Sequence, residues 1–157
     1  MMTPLEPVTH FAKVANRFCR WCEALPAGES AAMISISARR ALADLYSAVL
    51  SIPDVYGDFA IVESEDPPLP PKPLPQLASL PFELYNTFYN PSSLDESPSM
   101  GDLFDDFQDI YRDLRTGLAL YERRQVEAAA WHWHFSFRTH WGHHAVSAIF
   151  ALETYEA

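Results

Sequence analysis

His140 and His144 stand four residues apart inside the segment WHWHFSFRTHWGHH, residues 131–144. On an α-helix this spacing puts the two imidazoles one turn apart on the same face, as in helical H-x-x-x-H pairs that share one metal ion. Two ligands do not complete a site, and carboxylates are the candidates for the rest. Asp102, Asp106, Asp109 and Asp113 form a narrow stripe on the preceding long segment. Asp106 and Asp109 would meet the histidine pair if the two segments lay side by side. Metal-binding carboxylate bundles use acids and histidines from several helices in this way. Their Glu-x-x-His signature is absent, since Glu127 and His132 are five apart and no glutamate stands three before a histidine.

Plainer accounts exist for the same residues. At the edge of a core, His140 and His144 would satisfy their ring nitrogens with an aspartate, a tyrosine or backbone, because a buried imidazole without partners costs ~1 to 3 kcal/mol. A His–Asp pair is also held more readily protonated, and could act as a general acid/base or pH switch without metal. Acids in a first helical turn gain ~0.3 to 1 kcal/mol each from the helix dipole. That covers Asp102, Asp105 and Asp106 but not Asp113, three turns in. His132 and His143 lie on a different side of the helix from His144, and His134 is flanked by Trp133 and Phe135, so all three are expected at the edges of the aromatic surface. Cys19 and Cys22 match C-x-x-C, but they fall late in a helix on its apolar face and read as buried small hydrophobes. A zinc site joining them to His140 and His144 would need the first helix beside the last, which the sequence does not indicate.

The elements that must position these groups are helical. Thr3, Pro4 and Glu6 predict a capped helix start, followed by Val8, Phe11, Ala12, Ala15, Phe18, Cys19 and Cys22 at helical spacing. A second helix runs from a Ser30 cap through Ile34, Ala38, Leu42, Leu45 and Val49 to Pro53, forming an antiparallel hairpin with the first. Residues 54–100 are a proline-rich connector in which neither helix nor ladder propagates. Its segment 81–89 is read as a short helix starting at Pro81, and PPLPPK (67–72) as a stiff spacer or a ligand for an aromatic groove. The third long helix spans about 101–124 and the fourth about 127–154, with Trp133, Phe137, Trp141, His144, Ala148 and Leu152 on one face. Trp131, Phe135, Val146 and Ile149 lie opposite, so the fourth helix is apolar nearly all round, as expected between layers or in an interface. Gly142 costs ~1 kcal/mol against alanine inside a helix, which predicts another backbone or ring approaching beside His140 and His144. With no alternating strand, the expected fold is all-α: one domain over 1–157, a bundle of four long helices.

The totals exclude some functions. A formal charge of -10, from 21 acids against 11 bases, repels phosphate backbones, so nucleic acid is not an expected partner. Glu6, Lys13, Arg17 and Arg20 interrupt the N-terminal segment, so it holds no signal-peptide core, and no later run reaches the ~18 apolar residues of a bilayer span, so no membrane partner is expected. The expected setting is soluble and cytoplasmic. Two cysteines are too few for a disulfide framework, and glycine-rich phosphate loops are lacking.

GDLFDDFQDIYRDLRTGLALY (101–121) followed by AAWHWHFSFRTHWGHHAVSAI (129–149) resembles a family of uncharacterised bacterial proteins, a domain of unknown function. ALADLYSAVLSIPD (41–54) extends the likeness more loosely. The resemblance draws attention to Asp105, Asp106, Asp109, Asp113, Trp133, His140, Trp141, Gly142 and His144. It implies a helical fold, a bacterial cytoplasmic setting and no assigned activity. LFDDF departs slightly from the family pattern, which has a smaller or aliphatic neighbour after the acids. The leading functional reading is a non-catalytic binding or interaction protein that associates with itself or a protein partner through the aromatic C-terminal helix, and it needs no cofactor. The alternative is a metal-dependent enzyme in which His140, His144, Asp106 and Asp109 hold a transition metal between the third and fourth helices.

Overall fold

The computed structural model describes residues 5–54 and 72–155. The proposed cap at Thr3 and Pro4, and most of the proline motif 67–72, lie outside them; Lys72 is described and pairs with Glu23 at 3.9 Å. Helices α1 (Leu5–Glu23) and α2 (Ala31–Val49) form the expected hairpin. Ser30 caps α2 by accepting from the Met33 N–H at 3.2 Å. Helix α3 (Leu103–Glu122) begins at Asp102, whose carboxylate accepts from the Phe104 and Asp105 N–H groups at 2.8 and 3.2 Å. The last long segment divides into α4 (Val126–Ser136), a π turn (Phe137–Trp141) and α5 (Gly142–Glu153). The fold is all-α. Each long element packs on two neighbours, α1 on α2 and α3, the C-terminal segment on α2 and α3, closing a four-sided bundle.

The core follows from the apolar seams. Phe11 of α1 meets Trp133 edge-on at 4.9 Å and Trp141 at 6.2 Å, so α1 touches the last helical segment, a contact the sequence does not indicate. Gly117 of α3 admits the Trp133 indole, since a methyl group there would fall 2.5 Å from the Cδ1 and Cε2 atoms of the ring. Trp133 Nε1–H then donates to the Leu114 carbonyl at 3.3 Å. Cys19 and Cys22 are free and buried. Burial pushes the Cys19 thiol up to about 12, and Cys22 well above its usual range.

The π turn corrects the straight fourth helix. At about 100° per residue an unbroken α-helix would carry Trp141 about 80° round from Trp133, and the apolar stripe would leave the core. One π turn takes up the extra residue, its i→i+5 bond running from the Gly142 N–H to the Phe137 carbonyl. Trp133, Trp141, Ala145, Ala148 and Leu152 are thereby all buried. Nearby carbonyls gain hydroxyl donors, Ser136 to His132 at 2.6 Å and Thr139 to Phe135 at 2.8 Å. Gly142 is explained within the same turn: a methyl group would lie 2.6 Å from the Phe137 carbonyl oxygen and 2.7 Å from its ring. The group approaching Gly142 belongs to its own helix, and the close crossing between helices is at Gly117.

Two further expectations fail in the connector. Residues 75–79 form a 3₁₀ helix, and 81–89 do not form one. Instead β1 (Leu84–Thr87) pairs antiparallel with β2 (Ser99–Asp102), with Tyr85 opposite Gly101. The ribbon runs straight into α3, because the Leu103 N–H donates to the Glu83 carbonyl at 2.8 Å.

Candidate functional site

Asp106, Asp109 and Asp113 recur at three and four along α3 and so share a face, which lies against the π turn and the start of α5. The helices run antiparallel here, so the acids meet the histidines in reverse order. His140 Nδ1 is 2.7 Å from Asp113 Oδ2, and His144 Nδ1 is 2.6 Å from Asp106 Oδ1. A carboxylate only accepts, so each Nδ1 carries the proton and donates it. Both Nε2 atoms then turn toward one oxygen, Asp109 Oδ2, at 3.6 Å from His140 and 3.5 Å from His144. The rings meet edge to face with centroids 4.8 Å apart. Asp109 Oδ1 lies 3.4 Å from the exposed Arg112.

Burial and charge differ along the row. Asp106 is only 3% exposed and has both oxygens engaged, one by His144 and the other by the Tyr85 hydroxyl. The bond to Asp106, opposed by burial, raises the His144 pKa above its ordinary value. Burial raises that of Asp113, against the lowering effect of its bond to His140. Burial and the bond to Asp106 push the Tyr85 phenol well up, so it remains a donor. Asp105 is raised mainly by desolvation and then by neighbouring carboxylates. A cavity of about 190 Å³ opens beside the row, walled by Tyr85, Thr87, Tyr89, Asp105, Asp109 and His144 among others.

All four primary candidates from the sequence, His140, His144, Asp106 and Asp109, come together, and Asp113 joins them. Asp105 reaches only the cavity wall, and Trp133, Trp141 and Gly142 are packing residues. His132 departs from the expectation that it faces elsewhere: it is buried against α3, with Nε2 3.0 Å from the Asp113 carbonyl. Burial lowers its pKa. His134 pairs with Asp54 at 3.4 Å, and His143 stacks on Tyr89 at 5.2 Å. Neither cysteine joins a ligand cluster; among the described residues the one set with donor atoms converging for a metal is Asp109, His140 and His144, all within 4.8 Å of one another. Sequence reasoning missed Tyr85 because the ribbon carrying it was read as a helix. The glycine directly before the Asp102 cap was the one signal that something packs there.

The arrangement suits a metal ion on chemical grounds. Donors ~2.1 Å from a tetrahedral ion stand ~3.4 Å apart, close to the two distances from Nε2 to Asp109. Each histidine already gives its other ring nitrogen to a carboxylate, the pairing that fixes a metal-binding tautomer. No helix among the described residues is long and apolar enough to cross a membrane. No curated protein and no solved structure matches the chain. The family model described as "Domain of unknown function (DUF5063)" matches residues 5–157, and the chain belongs to that family.

Proposed function

We propose that this protein binds a divalent transition metal ion through Asp109, His140 and His144, and acts on a small molecule held in the adjoining cavity. The observation that carries the reading is the convergence of two Nε2 atoms on one carboxylate oxygen, with both Nδ1 atoms anchored on separate aspartates. Two imidazoles and one carboxylate form the ligand type of non-haem iron and of catalytic zinc, in which protein ligands leave open positions. Such an ion would supply Lewis acidity and a bound water of lowered pKa. Asp106 and Asp113 hold the imidazoles in the ligand tautomer, and the cavity flanked by Asp109 and His144 receives the substrate. The acids around it disfavour anionic substrates.

Elemental analysis of protein purified without a histidine tag tests the reading, together with melting in the presence of chelator. Stoichiometric zinc, iron or manganese and a melting temperature lowered by chelator are expected. A metal-free protein that neither takes up Zn²⁺ or Co²⁺ nor melts differently with them would refute it.

A second reading, association through the aromatic helix, is favoured by a separate observation. Phe135, Val146 and Phe150 are 50%, 48% and 67% exposed, and Trp131 stacks on Phe135 at 4.9 Å. Light scattering after size exclusion tests it, and a monomer at all concentrations without a retained protein partner would exclude it.

A further inference from the structure

A two-stranded ribbon is an odd feature in a helical bundle, and its position gives it a purpose. It bridges the helices that carry the metal-site residues: its ladder continues into the start of α3 through the Leu103 to Glu83 bond, and Thr87 Oγ1 lies 3.0 Å from Ser147 Oγ on α5. Between these anchors Tyr85 sits opposite Gly101. Its ring lies across the glycine so closely that a methyl group at Gly101 would fall 2.7 and 2.9 Å from the two Cε atoms, and nearer still to Cζ. The hydroxyl at the end of the ring donates to Asp106 Oδ2. The other oxygen of Asp106 receives the Nδ1–H of His144.

We propose that Tyr85, seated over Gly101, is a positioning residue of the metal centre: it fixes the Asp106 carboxylate, and through it the tautomer and orientation of His144. The inference rests on the metal-site reading above. Asp106 has one donor on each oxygen, so it cannot rotate toward Asp109 or solvent without losing one of them. Gly101 is needed because any side chain there displaces the ring and, with it, the hydroxyl. Loss of the hydroxyl leaves His144 the only partner of a buried carboxylate and frees that carboxylate to turn.

The test compares wild type, Tyr85→Phe, Gly101→Ala and the double variant by Co²⁺ titration, and by nitrogen-15 spectra of the metal-free histidines. Tyr85→Phe keeps the ring and therefore the packing. It should weaken Co²⁺ binding roughly tenfold, the low end of the range for groups that support metal ligands, and should shift His144 from a pure Nδ1–H tautomer to a mixture. Gly101→Ala should do the same although it retains the hydroxyl, and the double variant should be no worse than either single one. Unchanged Co²⁺ affinity in Tyr85→Phe, or losses that multiply in the double variant, would overturn the proposal. If the wild type takes up no Co²⁺, the metal reading fails; the His144 tautomer then still decides the role of Tyr85, and an unaltered spectrum in Tyr85→Phe overturns it. If Gly101→Ala does not fold, the Co²⁺ affinity and His144 tautomer of Tyr85→Phe decide between the same two outcomes.

Discussion

Asp106→Asn changes one atom of the cluster and should invert the proton arrangement around it. Asp106 accepts from the Tyr85 hydroxyl and from His144 Nδ1–H. Asparagine offers one acceptor and one donor group, so it cannot accept from both on separate atoms. The phenol keeps the carbonyl oxygen, the amide N–H turns to His144, and His144 must move its proton to Nε2 to accept it. An N–H then points at Asp109 where a lone pair had pointed. Hydrogen bonds to a charged group contribute about 1.5 to 3 kcal/mol and neutral ones about 0.5 to 1.5, so the metal-free variant should lose about 1 to 2 kcal/mol. At about 2 to 4 °C per kcal/mol for a chain of this size, its melting temperature should fall by about 2 to 8 °C. Metal binding should suffer more, by about a hundredfold or greater, because one of three ligands is withdrawn and not merely loosened. Differential scanning calorimetry measures the first effect and isothermal titration with Zn²⁺ the second. A variant that binds Zn²⁺ as tightly as the wild type, with His144 still protonated at Nδ1, would refute the reasoning.

Gly117→Ala sets helix propensity against packing: alanine gains about 1 kcal/mol, but its methyl overlaps the buried Trp133 indole. Overpacking costs about 1 to 3 kcal/mol and the bond to Leu114 about 1 more, so urea unfolding should show net destabilisation of about 1 to 3 kcal/mol. Cys19, whose thiol burial pushes up to about 12, and Cys22, held well above its ordinary range, should resist a disulfide reagent at mildly alkaline pH until the protein unfolds; rapid native labelling would contradict their burial. His132 has a folded pKa below 6.5 because burial disfavours its charge, so the unfolded chain takes up the proton first. Its contribution to stability is intact above pH 6.5 and is lost as pH falls toward the depressed value. Replacing it with glutamine should flatten that acid limb in melts recorded across pH.

Much of the centre was legible because it depends on helical spacing. Asp106, Asp109 and Asp113 fall on one face by arithmetic alone, as do His140 and His144, and short loops and apolar seams bring their helices together. The π turn was not legible, because a uniform 100° step assigns Trp133 and Trp141 to one broad face without recording the drift between them. The same step put His132 on the wrong side. The ribbon was hidden because LYNT and SMGD are four residues each, half exposed, with no apolar alternation to mark a strand. Tyr85 went unseen with it, since its link to Asp106 spans 21 residues and depends on a pairing register.

The π turn makes chain length a determinant of this centre. Because the turn absorbs one residue, deleting Arg138 or Thr139 would let an ordinary helix form with the downstream face unchanged, and His144 would still meet the acid row. An ordinary helix over the present length would instead swing everything downstream by about 100° and carry His144 off the row, although every amino acid that forms the centre would still be present. Variation here is therefore better judged by counting residues than by comparing their identities: a homologue with the same histidines and one position fewer should keep its centre without a π turn, and one with an additional position should lose it.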